Sequence, residues 1–92
     1  MRFTWDEQKH IANLVKHGLD FADFEPGFSW DRFLVTNAKP GRDQRIRFRF
    51  VGRLFDRVVV AAIVSPLGSE ALSIISLRTA SMKERKVYEE SF

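Results

Sequence analysis

The sequence predicts an α+β fold: two N-terminal helices, a four-stranded antiparallel sheet that gains a fifth strand if residues 2–3 join it, and a C-terminal helix. Three observations carry this. Apolar spacing is helical up to about residue 31 and alternates with period two from residue 32 onward. Two helix starts carry the hydroxyl-x-x-Glu capping pattern, one before residue 10 and one after residue 80. The apolar runs after residue 45 are joined by links too short for a parallel crossover, which favours an antiparallel meander over alternating βαβ units.

The first helix is punctuated at both ends. Thr4-Trp5-Asp6-Glu7 has the capping-box form, and Ile11, Leu14 and Val15 follow at i, i+3 and i+4 as an apolar stripe. Lys16 and His17 suit the negative end of the helix dipole, and Gly18 is placed to end the helix. A second, shorter helix starts at Asp20 and takes in Phe21, Ala22 and Phe24, with Pro26-Gly27 closing it.

Phe33 to Thr36 reads as a short strand and Asn37 to Arg42 as a turn. Arg45-Ile46-Arg47-Phe48-Arg49-Phe50 then alternates cationic and apolar side chains without a fault. A bend at residues 52–56 leads into Val58 to Val64, an unbroken apolar run that suits a central buried strand. Pro66 to Ser69 forms the next turn and Ala71 to Leu77 the next strand. Ser81-Met82-Lys83-Glu84 opens the last helix, which runs to about Glu90.

At 92 residues the chain can build one modest core, so a single domain over 1–92 is expected. Nine Phe and 45% hydrophobic residues are too dense an apolar content for a disordered chain. There is no cysteine, which excludes disulfides and thiolate metal sites. No apolar run reaches membrane-spanning length and no leader pattern opens the chain, so a cytoplasmic protein without membrane contact is expected.

Net charge is only +3, but it is unevenly placed. Residues 1–31 carry six acidic and three basic side chains, whereas residues 32–58 carry eight basic and two acidic, seven of the eight being Arg. Arg is favoured over Lys where phosphate is gripped bidentately, so the middle third points to a polyanionic partner. Arg45, Arg47 and Arg49 would project from one strand face at ~6.6 Å intervals, a row able to track a nucleic-acid backbone. The plain alternative is a solvated face that protects a sheet edge.

Other candidates are weaker when taken singly. Arg78, at the end of an apolar strand, reads first as the ion-pair partner of a carboxylate such as Glu84 or Glu70. Glu70 in its turn is a surface carboxylate by position, although beside arginines it could take a proton from a ribose hydroxyl. His10 and His17 are seven apart, which does not match the i, i+4 zinc spacing. No phosphate-binding glycine loop and no Ser–His–Asp set is present, which disfavours nucleotide-dependent and triad-type enzymes.

Two longer signatures bracket the chain. Trp5-Asp6-Glu7-Gln8-Lys9, Asn13 and Lys16-His17-Gly18-Leu19-Asp20-Phe21 stand near the start; Ile74-Ile75-Ser76-Leu77-Arg78-Thr79-Ala80, Glu84-Arg85 and Tyr88 stand near the end. In these residues and their order the sequence resembles the BrnT toxins of type II toxin–antitoxin systems. The resemblance implies a RelE-like ribonuclease fold whose antiparallel sheet presents basic residues to RNA. It also implies a BrnA-type antitoxin as partner, in a two-plus-two heterotetramer that reaches operator DNA only through the antitoxin.

The expected activity is a metal-independent endoribonuclease with no cofactor, cutting RNA and so inhibiting translation. Arg49, Arg57 and Arg78 would stabilise phosphate charge and Glu70 would transfer the proton, with His17 second in line for that role. Lys16, His17, Arg45, Arg47 and Arg53 would bind RNA. Gly52-Arg53 and Asp56-Arg57 both compete for the family's Gly-Arg position before the central strand. The alternative is a non-catalytic basic module that engages an acidic antitoxin or nucleic acid.

Overall fold

The computed structural model describes residues 2–92. The order is β1 (Arg2–Trp5), α1 (Glu7–His17), a 3-10 turn (Phe21–Asp23), α2 (Phe24–Gly27), β2 (Phe28–Ala38), β3 (Arg47–Leu54), β4 (Val58–Leu67), β5 (Ala71–Thr79) and α3 (Met82–Ser91). The strands form one sheet in the order β1-β5-β4-β3-β2. From β2 to β5 it is the expected antiparallel meander, but the fifth strand corrects the all-antiparallel expectation, because β1 pairs with β5 in parallel from Arg2↔Ala71 to Trp5↔Ile74. Among the described residues no helix is long and apolar enough to cross a membrane.

The two sheet faces differ sharply. Phe48, Phe50, Leu54, Val60, Ala62, Val64, Ile74 and Leu77 point to one side, where Phe21, Phe24 and Phe28 close the main core. Phe28 packs on Phe24 at 4.7 Å between ring centroids, and Trp30 folds over both from the irregular stretch of β2 between Phe28 and Phe33. Gly52 is required there, since a Cβ would stand 2.7 Å from the Phe28 ring. On the other side Val51, Val59, Ala61 and Tyr88 form a small second core beneath α3. The Tyr88 hydroxyl donates to the Arg32 carbonyl at 2.9 Å and fastens α3 to β2. Beyond that cluster the same face carries Thr36, Arg49, Ile63, Ser76 and Arg78.

Local punctuation matches in part. Gly18 ends α1 with φ +69°, a left-handed value that costs glycine least. Ser81 and Glu84 form the predicted capping box of α3. At the start of α1 the cap is Asp6, whose Oδ1 accepts from Gln8 N and Lys9 N; Thr4 lies inside β1 and cannot serve. The second helix is shorter than a regular one, a 3-10 turn capped by the Asp20 carboxylate and followed by a single α-turn.

The apolar stripe of α1 does not face the core. Ile11 and Val15 are 56% and 84% exposed, and the buried residue of the helix is Asn13. The reason is where the helix lies. β1 covers the edge of β5 only as far as Ile74, and α1 then runs along the remaining edge, where Leu77 would have an unpaired amide and carbonyl. Asn13 supplies both partners: its Nδ2 donates to Leu77 O at 2.8 Å and its Oδ1 accepts from Leu77 N at 3.1 Å. A second donation to Leu19 O fixes the turn after the helix.

His10 ties the same turn from the other side, held between the carboxylates of Glu7 at 2.9 Å and Asp20 at 2.7 Å and stacked on Phe21. The Glu7 hydrogen bond, with help from Asp20, raises the His10 pKa against the opposing effect of burial. Its protonated form therefore strengthens the turn below about pH 6.5, and that contribution fades as pH rises through the raised value.

Replacing Asn13 with Ala leaves the Leu77 amide and carbonyl buried and unpaired, and is expected to cost about 1–3 kcal/mol in urea denaturation. Val15→Lys, at a position 84% exposed, is expected to shift the same curve by less than about 0.5 kcal/mol.

Candidate active site

Strand register decides which arginines share a surface. Thr36, Arg49, Ile63 and Ser76 lie opposite one another across β2, β3, β4 and β5, and Leu34, Val51, Ala61 and Arg78 form the next row. Residues aligned in this way point to the same side of a sheet. Arg49 and Arg78 therefore rise from the face that α3 only partly covers, with β4 between them. Adjacent strands are ~4.8 Å apart, so their backbones are about 10 Å apart, a gap two guanidinium arms can span.

They meet on one carboxylate. Arg78 grips Glu84 in bidentate fashion, Nη1 to Oε1 at 2.6 Å and Nη2 to Oε2 at 2.9 Å, and Arg49 Nη1 stands 3.4 Å from Oε2. Glu84 Oε1 also accepts from Ser81 N at 2.8 Å as the second half of the capping box. Arg49 Nε donates to the Thr36 hydroxyl at 3.2 Å, which steadies the other side of its guanidinium. The charged hydrogen bonds from Arg78, aided by the Ser81 amide, hold the Glu84 pKa down to about 2, while the same carboxylate raises that of Arg78. Glu84 is thus an anion at any physiological pH, a fixed support for two cations that remain 34% and 30% exposed.

The expected arginine row is only partly realised. Arg49 reaches the Glu84 centre. Arg47 shares its face, but its guanidinium lies against Gly41 and 3.9 Å from Asp43, under the loop that precedes β3. Arg45 precedes the strand altogether and reaches Pro66 O at 3.5 Å, so it does not continue the line. Lys16 and His17 fall beside Arg47 instead, and with Ser76 they line a shallow cavity between α1 and the sheet.

Arg53 and Arg57 go elsewhere. Arg53 is on the same face but past Tyr88, and with Arg57 from the β3–β4 turn it lines a groove on the far flank of α3, beside Arg85 and Glu89. Arg53 Nη1 donates to Arg57 O at 3.4 Å, so the two residues that compete for one motif position form one cluster, separate from Glu84.

Glu70 does not join the arginines. It sits in the exposed turn before β5, eight residues from Arg78 along the strand, which is about 25 Å of extended chain. The anticipated grouping of Glu70 with Arg49 and Arg78 fails because Glu70 comes just before the first residue of β5 and Arg78 is next to its last. Glu84, the carboxylate that does meet them, was legible as an ion-pair partner and as half of a capping box, but not as the point where two strands and a helix converge. Thr36 and Lys83 gave no sequence signal at all, since one is a lone hydroxyl and the other a surface lysine.

The family model described as "Ribonuclease toxin, BrnT, of type II toxin-antitoxin system" matches residues 5–84. The crystal structure of the Brucella abortus ribonuclease toxin BrnT is 40% identical in sequence, with a TM-score of 0.66, and the match covers 89% of this chain and 99% of that one. No curated protein matches the chain. The class is therefore that of ribonuclease toxins from type II toxin–antitoxin systems. Within it, the chain belongs to the BrnT family.

Because the Glu84 pKa is lowered from 4.5 to about 2, its contribution to stability is present above pH 4.5 and is lost as pH falls toward 2. Glu84→Gln keeps a capping-box side chain but removes the charge. Allowing for the solvent around both arginines, it is expected to cost about 2 kcal/mol at pH 7 and almost nothing at pH 2, read from denaturation curves at the two pH values.

Proposed function

We propose that this toxin is a metal-independent endoribonuclease that arrests translation by cutting RNA, with the phosphate engaged at Arg49 and Arg78. The observation that carries the reading is the convergence of these two arginines on Glu84, on the sheet face that α3 leaves partly open. A carboxylate that never titrates near neutrality fixes their positions, so the cations need little reorganisation when charge develops on a phosphate. Such preorganisation is the usual source of electrostatic transition-state stabilisation.

The reaction is attack of a ribose 2′-oxygen on the adjacent phosphorus. The 2′-O–P bond forms, the P–O5′ bond breaks, and a 2′,3′-cyclic phosphate and a free 5′-hydroxyl result. One proton leaves the 2′-hydroxyl and one reaches the departing oxygen. Arg49 and Arg78 would neutralise the equatorial phosphate oxygens, which is the work a divalent cation does in other nucleases. Glu84 is unsuited to proton transfer, because both its oxygens are engaged and its pKa is about 2.

His17 is the better proton carrier. It lines the neighbouring cavity with Ser76, which is aligned across β4 with Arg49 and lies two residues before Arg78, and an imidazole can both accept and donate a proton through its two ring nitrogens. Lys16 and Arg47 in the same cavity would hold the RNA strand leading away from the cut, with Arg45 at its margin. The groove of Arg53 and Arg57 lies on the other flank of α3, and their part would be to bind RNA at a distance. Family membership supports an antitoxin partner. A BrnA-type antitoxin, in a two-plus-two complex that contacts operator DNA through the antitoxin, is the assembly this reading carries.

The test is cleavage of RNA by the purified toxin in the presence of EDTA. Undiminished cutting with cyclic-phosphate ends is expected, with Arg78→Ala slower by about 10²- to 10³-fold and His17→Gln by about 10²- to 10⁴-fold. Activity abolished by chelator would overturn the metal-free mechanism. Intact RNA in every condition would leave a binding module in place of an enzyme.

A further inference from the structure

Beside the arginine pair, between α3 and the outer strands, lies a cavity of about 350 Å³ that none of the steps above uses. Its walls are mainly aliphatic: Leu34 from β2, Val51 from β3 and Val87 from α3. Arg49, Thr36 and Lys83 stand at its polar margin, together with Ser81 and the Glu84 carboxylate that the two arginines neutralise. The volume is at the small end of the ~300–1,000 Å³ range of ligand pockets, room for one flat heterocycle and little more.

We propose that this cavity is a nucleobase subsite, which receives the base of the nucleotide whose phosphate rests on Arg49. The inference rests on the reading of the arginine pair as a phosphate anchor and adds to it the part of the substrate that is read.

Three features favour a base over other occupants. Apolar walls next to a fixed cation suit a ligand that is flat and apolar on its faces and anionic a sugar's length away. Flipped or unstacked bases are commonly held between apolar side chains in this way. The Thr36 oxygen accepts from Arg49 Nε, which leaves its own hydroxyl hydrogen free to donate to a carbonyl or ring nitrogen on the edge of a base. Val87 is 50% exposed on the outer side of the cavity, so a base can enter from solvent without moving the helix. The walls contain no aromatic ring, so the subsite would select by fit and edge contacts more than by stacking strength.

The experiment compares calorimetric binding of the four nucleoside 5′-monophosphates with that of ribose 5-phosphate, which has the same anion and no base. Wild-type toxin is expected to bind at least one nucleotide about tenfold more tightly than ribose 5-phosphate. Val87→Trp fills the cavity from an exposed helix position and is expected to erase that advantage, leaving ribose 5-phosphate affinity within about twofold. Thr36→Val is expected to flatten the ranking among the four bases.

Equal affinity for all five ligands would overturn the proposal, as would a base advantage that survives Val87→Trp. So would a Val87→Trp toxin with unchanged nucleotide binding that its antitoxin no longer neutralises, because the cavity would then serve a protein side chain. None of these ligands is cleaved. A toxin that prefers nucleotides yet leaves RNA intact would contradict the nuclease mechanism alone, and one that cuts RNA with no base advantage would contradict this subsite alone.

Discussion

A single carboxylate organises the sheet face that α3 partly covers. Glu84 closes the capping box of α3, takes both guanidinium nitrogens of Arg78 and stands 3.4 Å from Arg49. The helix start, the end of β5 and the middle of β3 are thereby fixed to one another by charge-assisted contacts, which are shorter and stronger than neutral hydrogen bonds. Two like charges brought this close would repel without such a support. With it, the protein can present paired cations on a partly open surface while one negative charge offsets them.

The division of labour between the sheet faces makes that arrangement affordable. One face is nearly all aromatic and aliphatic, with Phe21, Phe24, Ile74 and Leu77 fully buried, and it holds most of the apolar packing. The other needs only the small cluster around Tyr88 to seat α3, so much of its area can remain polar. The cost falls at the sheet edge, where β1 is too short to pair the whole of β5. Asn13 completes the pairing from a helix, which explains why α1 turns an amide inward and leaves Ile11 and Val15 in solvent.

Much of this fold was legible where a local rule decides structure. The Ser81–Glu84 capping box, the Gly18 terminator and the Val58–Val64 run appear where spacing and turn chemistry place them, and the 45–50 alternation does so from Arg47 onward. The parallel pairing of β1 was not legible, because four residues carry no sign of their partner's direction. Periodicity also misled at α1, where an apolar stripe implied a core-facing helix while the burial fell to a polar residue that is paired across 64 positions of sequence. The site shows the same limit. Arg49 and Arg78 stand out by composition and motif, and Glu84 was a named partner for Arg78. Only register, which puts Val51, Ala61 and Arg78 in one row and Arg49 in the next, makes the three a centre and leaves Glu70 and Arg57 outside it.

RNA is expected to meet the protein at the Glu84 pair and not at the arginine groove on the opposite flank of α3. The most direct measurement is an NMR titration of the arginine Nε–H signals with a 2′-O-methyl RNA, which can bind but cannot be cut through its 2′-oxygen. The Arg49 and Arg78 signals are expected to move together and saturate at one RNA concentration, while those of Arg53 and Arg57 change little. Shifts confined to Arg53, Arg57 and Arg85, with Arg49 and Arg78 unmoved, would contradict it.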